Sequence, residues 1–469
     1  MHIRATNAAR EEMNKVLRLA LYTLLALVLT SVFALVLIVK FALAPSSGEW
    51  SERVRIIGPV EAELGMPTVL RLATVSWFAP WLSGHTLDTR FGPVLLGWNA
   101  TSKSLVMTCA PCQWSEPELG DKPIALESFE ITASRDVDLL TGTLRATPAG
   151  SQAAGGATDL RGRWNGRLTQ KGLSLSFDVG SAPIAQWYQL LAPGLPELQR
   201  ARISGTATIQ AKFSLPERTY SVKPSLTQFS VEGLGVTSLM VSRAAACGPS
   251  AGLSEGSWVA KAALGALDPE YKDHPGYDPA SLMVASEVQP GLSPASGEKP
   301  AKKRNDKAAP KAGAPAAATG AGGAVSVRQP APPPTLDERV VRLLLPPLPN
   351  AGQQRLRELL YVAELERSPG KDGLLAGFLD MAPWGDNICG AEAAARRYFK
   401  RSANGLAPAQ AVWLATLLDD PAGRVARWQS EGQIDRERAR QVVQGMKDVN
   451  GGQRAALYST LSRAKFPPP

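Results

Sequence analysis

Cysteine is scarce in this sequence, with four in 469 residues. Two of them make Cys-Ala-Pro-Cys at Cys109 and Cys112. No second pair of that spacing exists to complete a zinc site. A thioredoxin-type redox site is disfavoured as well, because it needs a helix N-terminus behind the pair to lower the thiol pKa. Here "SLVMT" ahead of the pair reads as a strand and "QWSEPELGD" after it as a loop. The pair therefore reads as a small disulfide loop, and Cys247 with Cys389 as candidates for a second bridge. Aromatic residues make up only 6% of the chain. Nothing resembles a base-stacking platform or a groove-reading helix, so nucleic acid is not an expected partner despite a net charge of +9. Part of that charge is local, since Lys299, Lys302, Lys303, Arg304, Lys307 and Lys311 crowd one polar stretch. A basic surface facing anionic lipid or cell-wall polymer is the better account.

Charge is absent altogether from Leu19 to Val39, a mostly apolar run of the roughly 20 residues that a helix needs to cross a bilayer. Arg4, Arg10, Lys15 and Arg18 precede it and Lys40 alone follows closely, which argues for a cytoplasmic N-terminus and an exported remainder. The alternative is a cleaved signal peptide, with "ALA" at 42–44 as its cleavage site. The run is long for a signal core and Pro45 follows directly, so residues 1–18 are expected as a tail and 19–43 as a transmembrane anchor.

Hydrophobic residues are 44% of the chain, enough for buried cores beyond the anchor. Residues 50–245 read as one β-rich domain: "LRGRWNGRLTQKGLSLSFDVG" and "ARISGTATIQAKFSLPER" alternate polar and apolar residues between Gly and Asn/Asp turn signals. One helical piece, "APIAQWYQLLAP", interrupts them. No catalytic constellation shows there, and the region reads as a spacer or interaction domain. Its strand pattern resembles the long sheets of AsmA-type envelope proteins. Residues 289–334 are Ala-, Pro-, Gly- and Lys-rich and are expected to be a disordered insertion, too poor in apolar area to offset ordering entropy. After them, "RLRELLYVAELER" sets Leu356, Leu360 and Ala363 on one helical face, and four further stretches read as helices of an all-α domain over 335–465.

The stretch "LDPEYKDHPGYD" at 267–278 places Asp268, Tyr271, His274, Gly276 and Asp278 at close spacing. On its own this is weak evidence, because a lone histidine is more often structural than catalytic. Four later stretches strengthen it. "TLDERVVRLLL" from Thr335, "QRLRELLYVAELER" with Arg355 and Glu358, "KDGLLAGFLDMAPWGDNICGAEAAARRYF" with Lys371 and Asp372, and "LAPAQAVWLATLLDDP" follow in order. Together they resemble the peptidoglycan glycosyltransferases of family 51, the lipid II polymerases of class A penicillin-binding proteins and of monofunctional enzymes. The family's first motif, Glu-Asp-x-x-Phe-x-x-His-x-Gly-x-Asp, is met here with Tyr271 as its aromatic residue, except that Leu267 stands at the glutamate. In the second, Gly-Gly-Ser-Thr-(Ile/Leu)-Thr-Gln-Gln-Leu-x-Lys, Thr335 is kept. Glu338 and Arg339 replace the glutamines, Arg342 replaces the lysine, and Gly-Gly-Ser is gone. Further on, Ala376, Asp380 and Gln410 replace a glutamate, an asparagine and a glutamate. The copy is degenerate.

The resemblance implies a lysozyme-like helical domain assembled from 255–288 and 335–465. It implies a bacterial inner-membrane protein, single-pass, with its bulk in the periplasm, and lipid II or glycan strands as ligands, with other envelope proteins as further candidate partners. It implies Glu358 as the second catalytic carboxylate and Asp268, His274, Thr335, Arg342, Arg355 and Lys371 as substrate-binding positions. No cofactor is required, although Mg or Mn would serve an active pyrophosphate-releasing enzyme. A general base must carry a titratable oxygen within hydrogen-bond reach, and Leu267 has none. Glu270 and Glu287 are the nearby candidates for a substitute. Three readings follow: a retired polymerase that keeps its groove, an atypical active one, and a scaffold working through its β-rich region.

Overall fold

Side-chain alternation builds the larger part of the molecule. In the computed structural model, which describes residues 22, 25, 27–31, 33–34, 43–57, 60–89, 91–115, 119, 121–149, 159–217, 219–277, 284–287, 333–385 and 387–466, a hairpin of β1 (Ser51–Ile57) and β2 (Val60–Gly65) precedes one large sheet. The sheet contains β3 (Thr86–Thr89), β4 (Gly92–Asn99), β5 (Ser104–Cys109), β6 (Cys112–Trp114), β7 (Ile124–Asp136), β8 (Leu139–Pro148), β9 (Leu160–Leu168), β10 (Leu173–Pro183), β11 (Arg202–Leu215), β12 (Thr219–Glu232) and β13 (Val284–Glu287). They pair antiparallel in the order β13-β12-β11-β10-β9-β8-β7-β5-β4-β3, with β6 beside β7. Apart from β6, which pairs with β7 and not with β5, strands consecutive in sequence are neighbours in this sheet, most of them joined by short turns.

Strand β9 shows why one face is apolar. Leu160, Trp164 and Leu168 are buried while Arg161, Arg163 and Arg167 are exposed. The register opposes Trp164 to Phe177 and Leu168 to Leu173 on β10, and Trp164 to Gly142 on β8. Gly142 is required there. The Trp164 indole N–H donates across β8 to the Thr132 carbonyl on β7, 2.9 Å away, and a Cβ at 142 would stand 1.7 Å from that same oxygen. Two helices cover the apolar face. Met66–Ala73 packs with Trp50 over the Leu105, Leu140, Trp164 and Leu168 end of the strands. Ile184–Leu191 packs over the Cys109, Ile124, Leu126 and Leu160 end. Cys109 and Cys112 are joined by a disulfide in the turn between β5 and β6.

The sheet does not end in a separate domain. Ile184, Tyr188, Val231, Leu234 and Val236 share one continuous core with the C-terminal helices. The helix Ala351–Arg367 lies against β12. Tyr188 donates to the Leu356 carbonyl at 2.9 Å, and Arg200 to the Tyr361 hydroxyl at 3.0 Å. The Glu364 carboxylate accepts the Leu234 and Gly235 N–H groups at 2.8 and 2.9 Å, at the N-terminus of the helix Val236–Ala246, where a negative charge is favoured. A disulfide joins Cys247, just past the helix Val236–Ala246, to Cys389. A boundary at 245 therefore separates secondary-structure types but not cores. Nor does the helical part own all of 255–288, because Val284–Glu287 pairs with β12 as the last strand of the sheet.

The region after 333 is helical throughout, as its periodicity implies: Leu336–Leu344, Ala351–Arg367, Gly370–Met381, Ala391–Phe399, Pro408–Ala415, Pro421–Glu431, Arg436–Gly445 and Gly451–Arg463. Trp258–Leu267 packs among them. Among the described residues no helix is long and apolar enough to cross a membrane. Most of the anchor expected over 19–43 lies outside the described residues, as do residues 289–332 of the expected insertion and Asp278.

Candidate functional site

The first motif begins where the helix Trp258–Leu267 ends. Leu267 is 7% exposed and belongs to the main core. The next residue turns inward as well. Asp268, buried, accepts the Leu336 N–H at 2.9 Å at the start of the next motif's helix. It also lies 2.9 and 3.1 Å from His274 Nε2. The Gly276 N–H donates to His274 Nδ1 at 3.1 Å, which leaves Nε2 to carry the proton donated to Asp268. Thr335 closes the loop, donating to the Gly276 carbonyl at 2.6 Å and capping its own helix through the Glu338 N–H. Asp268, His274 and Thr335 thus tie two motifs together across 59 residues of sequence.

Beneath Gly276 lies a charged cluster that sequence reasoning missed in part. Asp337 is fully buried. Lys371 Nζ stands 2.5 Å from Glu366, 3.5 Å from Asp337 and 4.3 Å above the Tyr271 ring. The Tyr271 hydroxyl donates to the Lys371 carbonyl at 2.8 Å. Burial pushes the Asp337 carboxyl up to about 8, with Lys371 pulling it down and Glu366 adding to the rise. Gly276 has φ +72°, and a Cβ there would stand 2.3 Å from a Glu366 oxygen. Asp337 occupies the position of the resembled motif's second threonine. In sequence it reads as a helix first-turn charge, and only the topology above it makes it buried.

Glu358 is 5% exposed, with both carboxylate oxygens engaged. Arg342 holds it in a two-pronged pair, Nε to one oxygen at 3.0 Å and Nη2 to the other at 3.1 Å, and Gln354 donates at 2.7 Å. Gln354 lies one helical turn before Glu358, a spacing legible in sequence. The partnership with Arg342, between two helices, is not. Arg355 is exposed on the same helix. Of the expected set, then, Asp268, His274 and Thr335 form one cluster, Lys371 a neighbouring one, and Arg342 with Glu358 a third.

The substitute carboxylates fall elsewhere. Glu270 is exposed and pairs with Lys447 at 2.5 Å. Glu287 sits on β13 opposite Thr219. Asp380 accepts from the Ser250 hydroxyl and the Ala251 N–H, pinning the loop after Cys247. Ser462 and Lys465 spell Ser-x-x-Lys at the end of the last helix, but the Ser462 hydroxyl donates back to the Ser459 carbonyl. A divalent metal does not fit these residues. Glu358 is satisfied by Arg342 and Gln354, Asp337 is shut away with Lys371, and among the described residues no three His, Cys, Asp or Glu gather as ligands.

Residues 333–447 match the family model described as Transglycosylase, and this part of the chain is a transglycosylase domain. The first motif precedes the matched segment. Among curated proteins the chain is similar to biosynthetic peptidoglycan transglycosylases. That of Nitrosomonas europaea is 38% identical over 87 residues, 19% of this chain and 36% of the relative. That of Aromatoleum aromaticum is 40% identical over 68 residues, 14% of this chain and 30% of the relative. That of Alcanivorax borkumensis is 41% identical over 68 residues, 14% and 28%. The chain spans about a third of the length of the curated relatives it matches.

Proposed function

We propose that this chain is an envelope protein that keeps a transglycosylase-type scaffold without its polymerising chemistry, and that it binds lipid II or glycan strands rather than joining them. The observation that carries this reading is the state of the two carboxylate positions. The first is a buried leucine, and the second is neutralised by Arg342 in a two-pronged pair. Loss of a positioned general base lowers rate by about 10²–10⁴-fold. Both oxygens of the Glu358 carboxylate already accept from Arg342 or Gln354, so a substrate hydroxyl would have to displace one of them.

The names of the similar proteins support the ligand class. The apolar run at Leu19–Val39, with basic residues before it, supports a single-pass anchor in a bacterial inner membrane, N-terminus inside. Two disulfides suit an oxidising compartment such as the periplasm.

The test is glycan polymerisation from fluorescent lipid II by the detergent-solubilised full chain, beside lipid II binding. The expected result is binding with no polymer. Polymer from the unmodified protein that disappears in Glu358→Gln would overturn the reading. Absence of both polymer and binding would overturn the ligand assignment and move the function to the sheet.

A further inference from the structure

Residues 72–87, "LATVSWFAPWLSGHTL", contain no Asp, Glu, Lys or Arg, yet the segment is not buried. Trp77 and Trp81 are 69% and 77% exposed, and Leu87 is 51% exposed. The exposure does not come from a loose loop. Consecutive turns are closed by Phe78 N–H to Val75 O at 3.0 Å, Ala79 N–H to the same carbonyl at 2.8 Å and Trp81 N–H to Phe78 O at 2.9 Å. Gly84 and His85 bond to Leu96 of β4, and Ala79 is fully buried. The backbone is seated and aims two indoles outward.

A large exposed apolar patch in a seated segment marks a contact surface. Two exposed tryptophans in a stretch that carries no acidic residue from 72 to 87 suit one contact in particular, the layer between lipid headgroups and acyl chains, where an indole is both apolar and able to donate. Chain connectivity favours the same occupant. Lys40 ends the long apolar run, and Trp50, a short tether later, packs in one cluster with Met66 and Leu70 of the helix that leads into this segment. The tip therefore lies at the end of the sheet where the chain arrives from that run. The opposite side of the sheet, at β12, is taken by the helical domain.

We propose that residues 75–87 are a membrane-resting tip, with Trp77, Trp81 and Leu87 in the interfacial layer of a phospholipid bilayer. This contact is independent of lipid II binding.

The full chain, reconstituted into phosphatidylcholine–phosphatidylglycerol vesicles with brominated acyl chains, reports it through tryptophan quenching. Trp77→Ser with Trp81→Ser should reduce the quenched fraction at least twofold, whereas Trp258→Phe, in the helical domain, should leave it unchanged. Both serines replace exposed side chains, so an unaltered thermal midpoint is expected and shows that the fold is intact. Quenching that persists undiminished in the double variant overturns the proposal. A detergent-stable dimer lost in the double variant, with quenching unchanged, overturns it in favour of a second copy of this chain.

Discussion

The sheet and the helical domain are stabilised by different means. The sheet buries leucines, tryptophans and alanines on one face and shows arginines and threonines on the other, with few polar groups inside. The helical domain buries Asp268, Thr335, Asp337, Arg357, Glu358 and Glu392, most of them tied to partners. Buried polar groups are costly unless satisfied, so a cluster of them marks a constrained architecture. Of the motif positions, those retained at Asp268, His274, Thr335, Lys371 and Glu358 all make internal contacts, and the lost one, Leu267, is apolar and packed. The retained residues are those the fold needs.

The sharpest way to break the contrast is to cut the chain between the two parts. A fragment of residues 250–469 exposes the core surface covered by Tyr188, Val231 and Val236, and is expected to lack cooperative unfolding by calorimetry. A soluble fragment with a sharp transition would show that the shared core is dispensable.

Single glycines come next. Gly276→Ala forces a side chain into a left-handed backbone against Glu366 and should cost about 3 kcal/mol or more. Gly142→Ala drives a methyl onto the Thr132 carbonyl and displaces the Trp164 indole, for about 2–4 kcal/mol. If the regions are one cooperative unit, denaturant curves followed by near-UV and far-UV dichroism will shift together for both variants. Two separate transitions would split the molecule at residue 245 after all.

Glu364→Gln weakens the charge at the N-terminus of Val236–Ala246 while keeping an acceptor, and should cost about 1 kcal/mol in urea unfolding.

The remaining effect is a pH slope. Asp337 is raised to about 8 in the folded chain, so the folded form holds a proton that the unfolded form releases near pH 4. The group's stabilisation is full below about pH 4 and is lost as pH rises towards 8. Asp337→Asn should therefore raise the thermal midpoint, more at pH 8 than at pH 5. An equal shift at both values would mean that Asp337 is ionised throughout.

Legibility in the sequence followed the range of the interaction. Alternation announces β9 and β10, and helical spacing announces Ala351–Arg367, because both patterns repeat within one element. The leucine at 267, where the resembled motif has a glutamate, was also plain, since it needs only a motif and one residue. Arg342 against Glu358 was not, because Arg342 reads equally well as a phosphate-binding cation until the two helices are brought together. Asp337 was hidden by its own helix cap chemistry. The exposed aromatics at 77 and 81 were hidden by resembling core residues in a β-rich stretch.

The Cys247–Cys389 bridge spans 142 positions. It makes residues 247–389 a covalent ring that contains the first motif, the low-complexity segment, Thr335, Arg342 and Glu358. A protease that cuts this ring once opens a loop without releasing a fragment. Maturation or damage within 289–332 would leave the mass of the chain intact on a non-reducing gel and show two pieces only after reduction. In a compartment where proteolysis is routine, the ring keeps both halves of the site on one molecule.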